Sequence, residues 1–276
     1  MAVVASPPAE GLGAWLDQVV AEDSLELLPQ LPAESIDTVF WDPPYFLQIP
    51  PAKGRRLKRW KVQTEVVGVQ DTWDQFGSFA EYDAFIQSNL EELRRVLKPE
   101  GTLWVIGTYH NIHRVGRLLQ DLGFWILNDV VWVKSNPMPN WLGVRFTNAV
   151  ETLIWAVREK EAKGYYFDRK LAQAYGGSST APSVWYLPIC TGKERLKTAE
   201  GKKLHSTQKP EALLERVIGI SVPPGGVILD PMAGTGTTGA VAKRLGRHFI
   251  LIEKEPAYVE AARQRIAKVQ TDLFTK

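Results

Sequence analysis

The sequence has a single cysteine, Cys190, among 276 residues. One thiol can form neither an internal disulfide nor a cysteine-based zinc site, so the chain is expected in a reducing compartment, with no structural bridge. No uncharged apolar run approaches the roughly 18 residues needed to span a bilayer, and no membrane association is expected. The first twenty residues lack the basic start of a signal peptide, and Glu10 and Asp17 interrupt what apolarity they have. Net charge is also nearly absent: 33 Lys and Arg oppose 31 Asp and Glu, so only the placement of charge carries information about partners. The four histidines, His110, His113, His205 and His248, show no metal-ligand spacing, and no metal is expected. Repeats and low-complexity tracts are lacking, which excludes solenoids and disordered tails.

What is present is ample apolar material, 45% of residues, in an alternating α/β pattern read as a single domain over residues 1–276. Ile36 to Trp41 reads as a strand stopped by two prolines. Ser78-Phe79-Ala80-Glu81 is a capping box opening a helix to Leu97, and Lys98 to Gly101 reads as a turn before a strand, Thr102 to Gly107. A helix at Ile112 to Leu122, a strand at Ile126 to Val133 and an apolar run at Val150 to Val157 follow. From about Lys160 to Leu204 the periodicity disappears, and this stretch reads as an irregular insertion. Helix Pro210–Ile220, strand Gly226–Leu229, helix Gly236–Leu245, strand His248–Ile252 and helix Pro256–Val269 complete the chain.

Two motifs stand at strand ends. Asp230-Pro231-Met232-Ala233-Gly234-Thr235-Gly236-Thr237-Thr238-Gly239 follows a strand and opens a helix. There, Gly234 and Gly236 permit close backbone approach to a ligand, and unpaired amides favour polar or negative groups. Glu253 ends the next strand, where a carboxylate can accept both hydroxyl hydrogens of a ribose, and the pair describes a site for an adenosine-containing cofactor. The same pattern fits an NAD-dependent oxidoreductase, but too little chain follows Asp230 to build the second half of a dinucleotide domain. The remaining strands must come from upstream, so the sheet must be circularly permuted. The second motif, Asp42-Pro43-Pro44-Tyr45, reads minimally as a rigid extended turn. Its chemistry suits an exocyclic amino group: Asp42 and the Pro43 carbonyl offer two acceptors for two hydrogens, and Tyr45 an aromatic face for an extruded base.

Together these motifs resemble the amino-group DNA methyltransferases that use S-adenosylmethionine, specifically their permuted β class. Asp42-Pro43-Pro44-Tyr45 is similar to the family's catalytic motif and Asp230 to Thr238 to its cofactor loop, with Met232 where phenylalanine is usual. His205-Ser206-Thr207-Gln208-Lys209-Pro210 resembles a family segment that contacts the methionine end of the cofactor, with Ser206 in place of a proline. Asp23 matches a position near the adenine ring and Glu253 the ribose acid. The resemblance implies cofactor contacts from Asp23, His205, Ser206, Thr207, Lys209, Pro210, Asp230, Met232, Gly234, Gly236, Thr237, Thr238 and Glu253. It also implies a Rossmann-like fold, circularly permuted, with a mixed, mostly parallel sheet and helices on both faces.

The stretches Lys134 to Asn140 and Arg145 to Ala156 resemble more narrowly the cell-cycle-regulated and restriction-system enzymes that modify adenine in GANTC. Such enzymes typically carry a further C-terminal DNA-binding domain, and this sequence ends soon after its last expected helix. The activity implied is site-specific transfer to adenine N6 in flipped-out bases of duplex DNA. N4-cytosine is the alternative acceptor, and a catalytically inactive DNA-binding module is disfavoured because both motifs are intact. Double-stranded DNA is the expected partner, with a second copy of the chain and a cognate restriction endonuclease as further candidates, in a bacterial-type, nucleoid-associated cytoplasmic setting.

DNA contacts are expected from segments 46–72 and 137–204. Lys53 to Lys61 holds six basic residues and no acid. A charge run alone is usually a solvated loop, but beside the catalytic motif Arg55, Arg56, Lys58 and Arg59 are placed to meet phosphates, and Trp60 to stack on or wedge between bases. Thr191 to Lys203 is a second basic stretch, diluted by Glu194 and Glu200. Asn136, Asn140, Arg145 and Asn148 carry groups that match adenine and guanine edges, although asparagines also serve as turn formers. Most of the ten tryptophans are expected to be packing residues.

Overall fold

The computed structural model of the chain describes residues 11–47, 57–59, 62–64, 72–140, 144–177 and 179–270. In chain order its strands are β1 (Gln18–Ala21), β2 (Ile36–Trp41), β3 (Leu57–Arg59), β4 (Val62–Thr64), β5 (Leu97–Gly107), β6 (Trp125–Lys134), β7 (Val150–Val157), β8 (Val184–Leu187), β9 (Val227–Asp230) and β10 (His248–Glu253). The helices are α1 (Ser24–Leu27), α2 (Phe79–Val96), α3 (Ile112–Asp121), α4 (Arg169–Gly176), α5 (Glu211–Ser221), α6 (Thr237–Arg244) and α7 (Pro256–Ala267). Eight strands form one sheet in the order β1-β10-β9-β2-β5-β7-β6-β8, and β3 and β4 pair separately. Only β7 runs antiparallel to its neighbours in the large sheet. Strands from the C-terminal end of the sequence, β9 and β10, therefore lie between β1 and β2, which is the permuted, mostly parallel arrangement expected.

The sheet reads as near-continuous apolar runs because helices cover both its faces. Alternation sends Val39 and Trp41 to one side, where they meet Leu90 and Leu93 of α2 and Leu118 and Leu119 of α3. Phe40, between them, points to the other side, among Leu213 and Val217 of α5, Val241 of α6 and Val259 of α7. Burying one such aliphatic or aromatic side chain contributes about 1.5–3 kcal/mol. Trp104 and Trp155, directly opposite on β5 and β7, stack with centroids 5.1 Å apart, and Trp104 Nε1 donates to Ser221 Oγ at 2.9 Å.

Local signals hold where they rest on side-chain chemistry. Ser78 caps α2 by accepting from Glu81 N at 3.1 Å, while Glu81 reaches back to Gly77 N at 2.8 Å. Two readings are corrected. Residues 160–204 are not wholly irregular: Asp168 caps α4, and β8 adds to the sheet edge beside β6. Strand β8 escapes a pattern search because its four residues, Val-Trp-Tyr-Leu, are apolar throughout, although only alternate ones are buried. Lys98 to Gly101 does not precede a strand but is an excursion within β5, whose register against β2 jumps from Ile36↔Leu97 to Thr38↔Thr102.

Parallel pairing places the ends of β1, β10, β9, β2 and β5 along one edge of the sheet. In open α/β sheets ligands bind outside the carboxyl ends of the strands.

Candidate active site

A cavity of 390 Å³ opens along that edge. Asp42 to Tyr45, following β2, line it together with Asp230 at the end of β9, Met232 just after it, Glu253 at the end of β10, and Asp23 after β1. Two segments separated by nearly two hundred residues thus meet because β2 and β9 are adjacent, Val39 standing opposite Leu229.

The cofactor-loop geometry follows from its glycines. Gly234 has φ +51°, and a Cβ there would stand 3.2 Å from His205 Nε2. Gly236 caps α6 with φ +74°, where a Cβ would fall 2.7 Å from the Ala262 Cβ, so only glycine fits. Asp230 braces the turn: Oδ1 accepts from Met232 N at 3.1 Å and Oδ2 from Thr238 Oγ1 at 2.5 Å. Burial, aided by the charges of Asp42 and Glu253, pushes its carboxyl up to about 7 despite those two donors. Glu253 accepts from Gly234 N and Glu255 N, both at 2.8 Å. Its pKa is raised by burial, against the pull of the same two amides.

S-adenosylmethionine fits this cavity. The volume lies within the usual small-molecule range of roughly 300–1,000 Å³, a carboxylate suited to ribose hydroxyls is fixed inside, and the glycine turn leaves room for close approach. Of the residues that would hold it, Asp23, His205, Thr207, Lys209, Asp230, Met232, Gly234, Thr237, Thr238 and Glu253 all line the cavity. Asp23 is also the cap of α1, accepting from Leu25 N at 3.0 Å. Three expected contacts fall outside the lining. Ser206 and Pro210 flank residues that do line it, and Gly236 faces Ala262 rather than the opening. Sequence reading missed an aromatic wall: Trp73 stacks on His205 at 5.8 Å, and His205 lies 4.7 Å from Tyr258. No spacing rule links these three, which come together from three distant segments.

At the other end of the cavity, the side chain of Asp42 is 18% exposed and accepts from Lys209 Nζ at 2.6 Å and from Tyr45 Oη at 2.9 Å. Lys209, assigned to the cofactor on resemblance, thus directs its charge to Asp42 and also lies 5.1 Å over the Tyr45 ring. Tyr45 is nearly buried, and its hydroxyl sits 3.2 Å from Glu151 Oε2. Burial raises the Asp42 pKa more than Lys209 lowers it. Burial disfavours the Lys209 ammonium, but the charges of Asp42 and Glu151 outweigh it and raise its pKa. Tyr45 is pushed well above its ordinary value by burial beside the same two carboxylates. The turn itself is held from outside: Tyr82 Oη donates to Pro44 O at 2.9 Å, and Asp74 accepts from Phe46 N at 2.6 Å and Leu47 N at 2.9 Å. That grip holds Phe46 at φ +50°.

The expected DNA contacts are scattered by comparison. Arg55, Arg56 and Trp60 lie outside the described residues, and Lys58 and Arg59 belong to β3. Asn136 Oδ1 accepts from the distant Ile189 N at 2.8 Å, and Asn140 Nδ2 donates to Arg145 O at 2.9 Å, so both side chains are engaged with backbone. Arg145 reaches Tyr109 Oη at 3.2 Å, and Asn148 is exposed. In the second basic stretch Arg195 is committed inward, donating to the carbonyls of Cys190, His205 and Ser206 and so supporting the segment that carries Lys209. Among the described residues no cluster of His, Cys, Asp and Glu could hold a metal ion, and no helix is long and apolar enough to cross a membrane.

Comparison with known proteins agrees with this geometry. Residues 36–264 match the family model for N6/N4 DNA methylases. The type II methyltransferase M.HinfI of Haemophilus influenzae is 48% identical over 261 residues, covering 95% of this chain and 71% of the relative. The type II methyltransferase M2.LlaDCHI of Lactococcus lactis subsp. cremoris is 39% identical over 254 residues, covering 92% of this chain and 90% of the relative. Among solved structures, M1.HpyAVI in complex with S-adenosylmethionine superimposes with a TM-score of 0.63 at 26% identity, over 90% of this chain and 98% of that one. The chain belongs to the N6/N4 DNA methylase family and is a type II DNA methyltransferase of the amino-group class that uses S-adenosylmethionine.

Proposed function

We propose that this methyltransferase modifies the exocyclic N6 of adenine in duplex DNA, acting on a base rotated out of the helix. The observation that carries the reading is the partly exposed Asp42 carboxylate, fixed on a two-proline turn in the same cavity as Glu253 and the glycine loop. S-adenosylmethionine, when bound, supplies a methyl group activated by its sulfonium.

An exocyclic amino nitrogen is a poor nucleophile because its lone pair is delocalised into the ring. Asp42 accepts one amino hydrogen and the Pro43 carbonyl the other, which localises the lone pair and orients it toward the cofactor end of the cavity. The contribution is positioning plus fixed charge, strengthened by the low polarity of a nearly buried site. The rigid turn, gripped by Tyr82 and Asp74, limits the freedom that binding would otherwise have to remove. The base must leave the helix to reach such a recess. Asp42 as the first motif residue, where cytosine enzymes of this class often carry serine, favours adenine. Segments 46–72 and 137–204 are assigned to DNA contact, and the type II relatives suggest a companion restriction endonuclease.

The test is transfer of tritiated methyl groups to unmethylated duplexes, with and without GANTC, followed by hydrolysis to nucleosides. The expected product is N6-methyl-2′-deoxyadenosine. N4-methylcytosine would overturn the base assignment, and an absence of label from every duplex would overturn the activity.

A further inference from the structure

We infer that Glu151, on β7, is a positioning residue for methyl transfer: it is the alternative acceptor for the two donors that hold Asp42, Lys209 and Tyr45. The inference rests on the reading of Asp42 as the carboxylate that meets the base.

Both oxygens of Asp42 are engaged, Oδ2 by Lys209 Nζ at 2.6 Å and Oδ1 by Tyr45 Oη at 2.9 Å. Each oxygen keeps a further lone pair, so an amino group can bond to Asp42 beside one of these donors or in its place, and in the second case the displaced donor needs another acceptor. Glu151 stands behind both, its Oε2 3.2 Å from Tyr45 Oη and 3.9 Å from Lys209 Nζ. Its other oxygen, Oε1, is bonded to Lys134 Nζ at 2.8 Å, which fixes the carboxylate from the far side. The tyrosine hydroxyl has one proton and two carboxylate oxygens within reach, so it can pass from Asp42 to Glu151 without losing a bond. Lys209 is 8% exposed, and a displaced ammonium at that depth would be an uncompensated buried charge without a second carboxylate beside it. Glu151 removes that penalty, and so lets Asp42 exchange a protein donor for the base.

The charges facing Asp42 are Lys209, Glu151 with Lys134 behind it, and Asp230 at the end of β9, with Tyr45 as the neutral bridge. The hydroxyl bridge places the Asp42 and Glu151 oxygens within about 6 Å of each other, close enough for the Glu151 charge to raise the Asp42 pKa. Asp42 must be ionised to accept the amino hydrogen, so it governs the acid limb of kcat. Removing the negative charge with Glu151→Gln, which keeps an oxygen for Tyr45, should move that limb to lower pH. Removing the positive charge with Lys134→Met should move it to higher pH.

The experiment measures kcat and KM for cofactor and duplex across pH 5–9 for the wild type, Glu151→Gln, Lys134→Met and Asp42→Ala, with calorimetric cofactor affinity as a check of folding. Glu151→Gln is expected to lower kcat by about tenfold or more, to leave cofactor KM within about twofold, and to shift the acid limb opposite to Lys134→Met. An unshifted limb with kcat within twofold of wild type, while Asp42→Ala is inactive, overturns the inference and leaves the catalytic reading intact. Normal turnover in Asp42→Ala overturns the catalytic reading itself. Parallel loss of cofactor affinity in both charge variants, with no limb shift, identifies Glu151 and Lys134 as fold-supporting only and overturns the inference.

Discussion

Glu253 carries the sharpest quantitative expectation. Its carboxylate is nearly buried, and each oxygen already accepts one backbone amide at 2.8 Å, from Gly234 and Glu255. These amides fix its orientation and leave a further lone pair on each oxygen for a ribose hydroxyl. In Glu253→Gln one acceptor oxygen becomes an NH2 group, so one amide faces a donor and the remaining contact loses its charge. A hydrogen bond to a charged group contributes about 1.5–3 kcal/mol, which corresponds to a loss of roughly 10- to 150-fold in cofactor affinity. Burial raises the Glu253 pKa, and the ionised form is the one that accepts two hydroxyl hydrogens. Wild-type affinity should therefore fall as pH drops through that raised value, whereas the glutamine variant should be flat in the same window. Isothermal titration at several pH values, with thermal melting of the cofactor-free proteins as control, measures both effects. Unchanged affinity in a normally folded variant would refute the assignment of Glu253 to the ribose.

Asp42→Ala should abolish methyl transfer while cofactor affinity, measured by the same titration, stays within a few-fold, because the carboxylate faces the acceptor nitrogen and not the adenosine. Asp230, with its carboxyl near 7 against an ordinary 3.8, takes up a proton on folding between those values, so its contribution to stability is full below about 4 and lost as pH rises through 7. Melting temperatures of the cofactor-free protein should accordingly gain from this group as pH falls from 8 toward 5, and a pH series on Asp230→Asn should lack that gain. Gly236→Ala forces a side chain into a φ of +74° and against Ala262, so denaturant unfolding should show destabilisation of more than about 1 kcal/mol. Replacing Arg55, Arg56, Lys58 and Arg59 by Ala should weaken matched and scrambled duplexes alike and lower the slope of log affinity against log salt by up to about 0.9 per lost phosphate contact. Fluorescence anisotropy that finds the slope unchanged would return the basic run to the solvated-loop reading.

The sequence by itself determined the α/β class, the circular permutation and the two motifs at strand ends, because these follow from local features and their order along the chain: apolar runs, a proline pair that stops β2, a glycine turn that opens α6. Asp42, Asp230 and Glu253 were legible for the same reason, each sitting at the last position of a strand or just after it. Tertiary structure alone decided what surrounds them. Glu151 and Lys134 stand near the ends of β7 and β6 with no motif to mark them, and they acquire meaning only when the fold brings Glu151 to Tyr45 and Lys209, with Lys134 paired to it. Trp73, His205 and Tyr258 form one wall although no local rule joins them. Strand β8 and helix α4 were hidden because four apolar residues and about two turns of helix are too short for periodicity to speak, and long-range pairing with β6 and packing on α5 supply what local propensity lacks. The same holds for Arg195, basic in the sequence and in the fold a brace for three carbonyls. A residue's charge can be read from the chain, but whether it faces solvent, a phosphate or a buried partner depends on which distant segment folds against it.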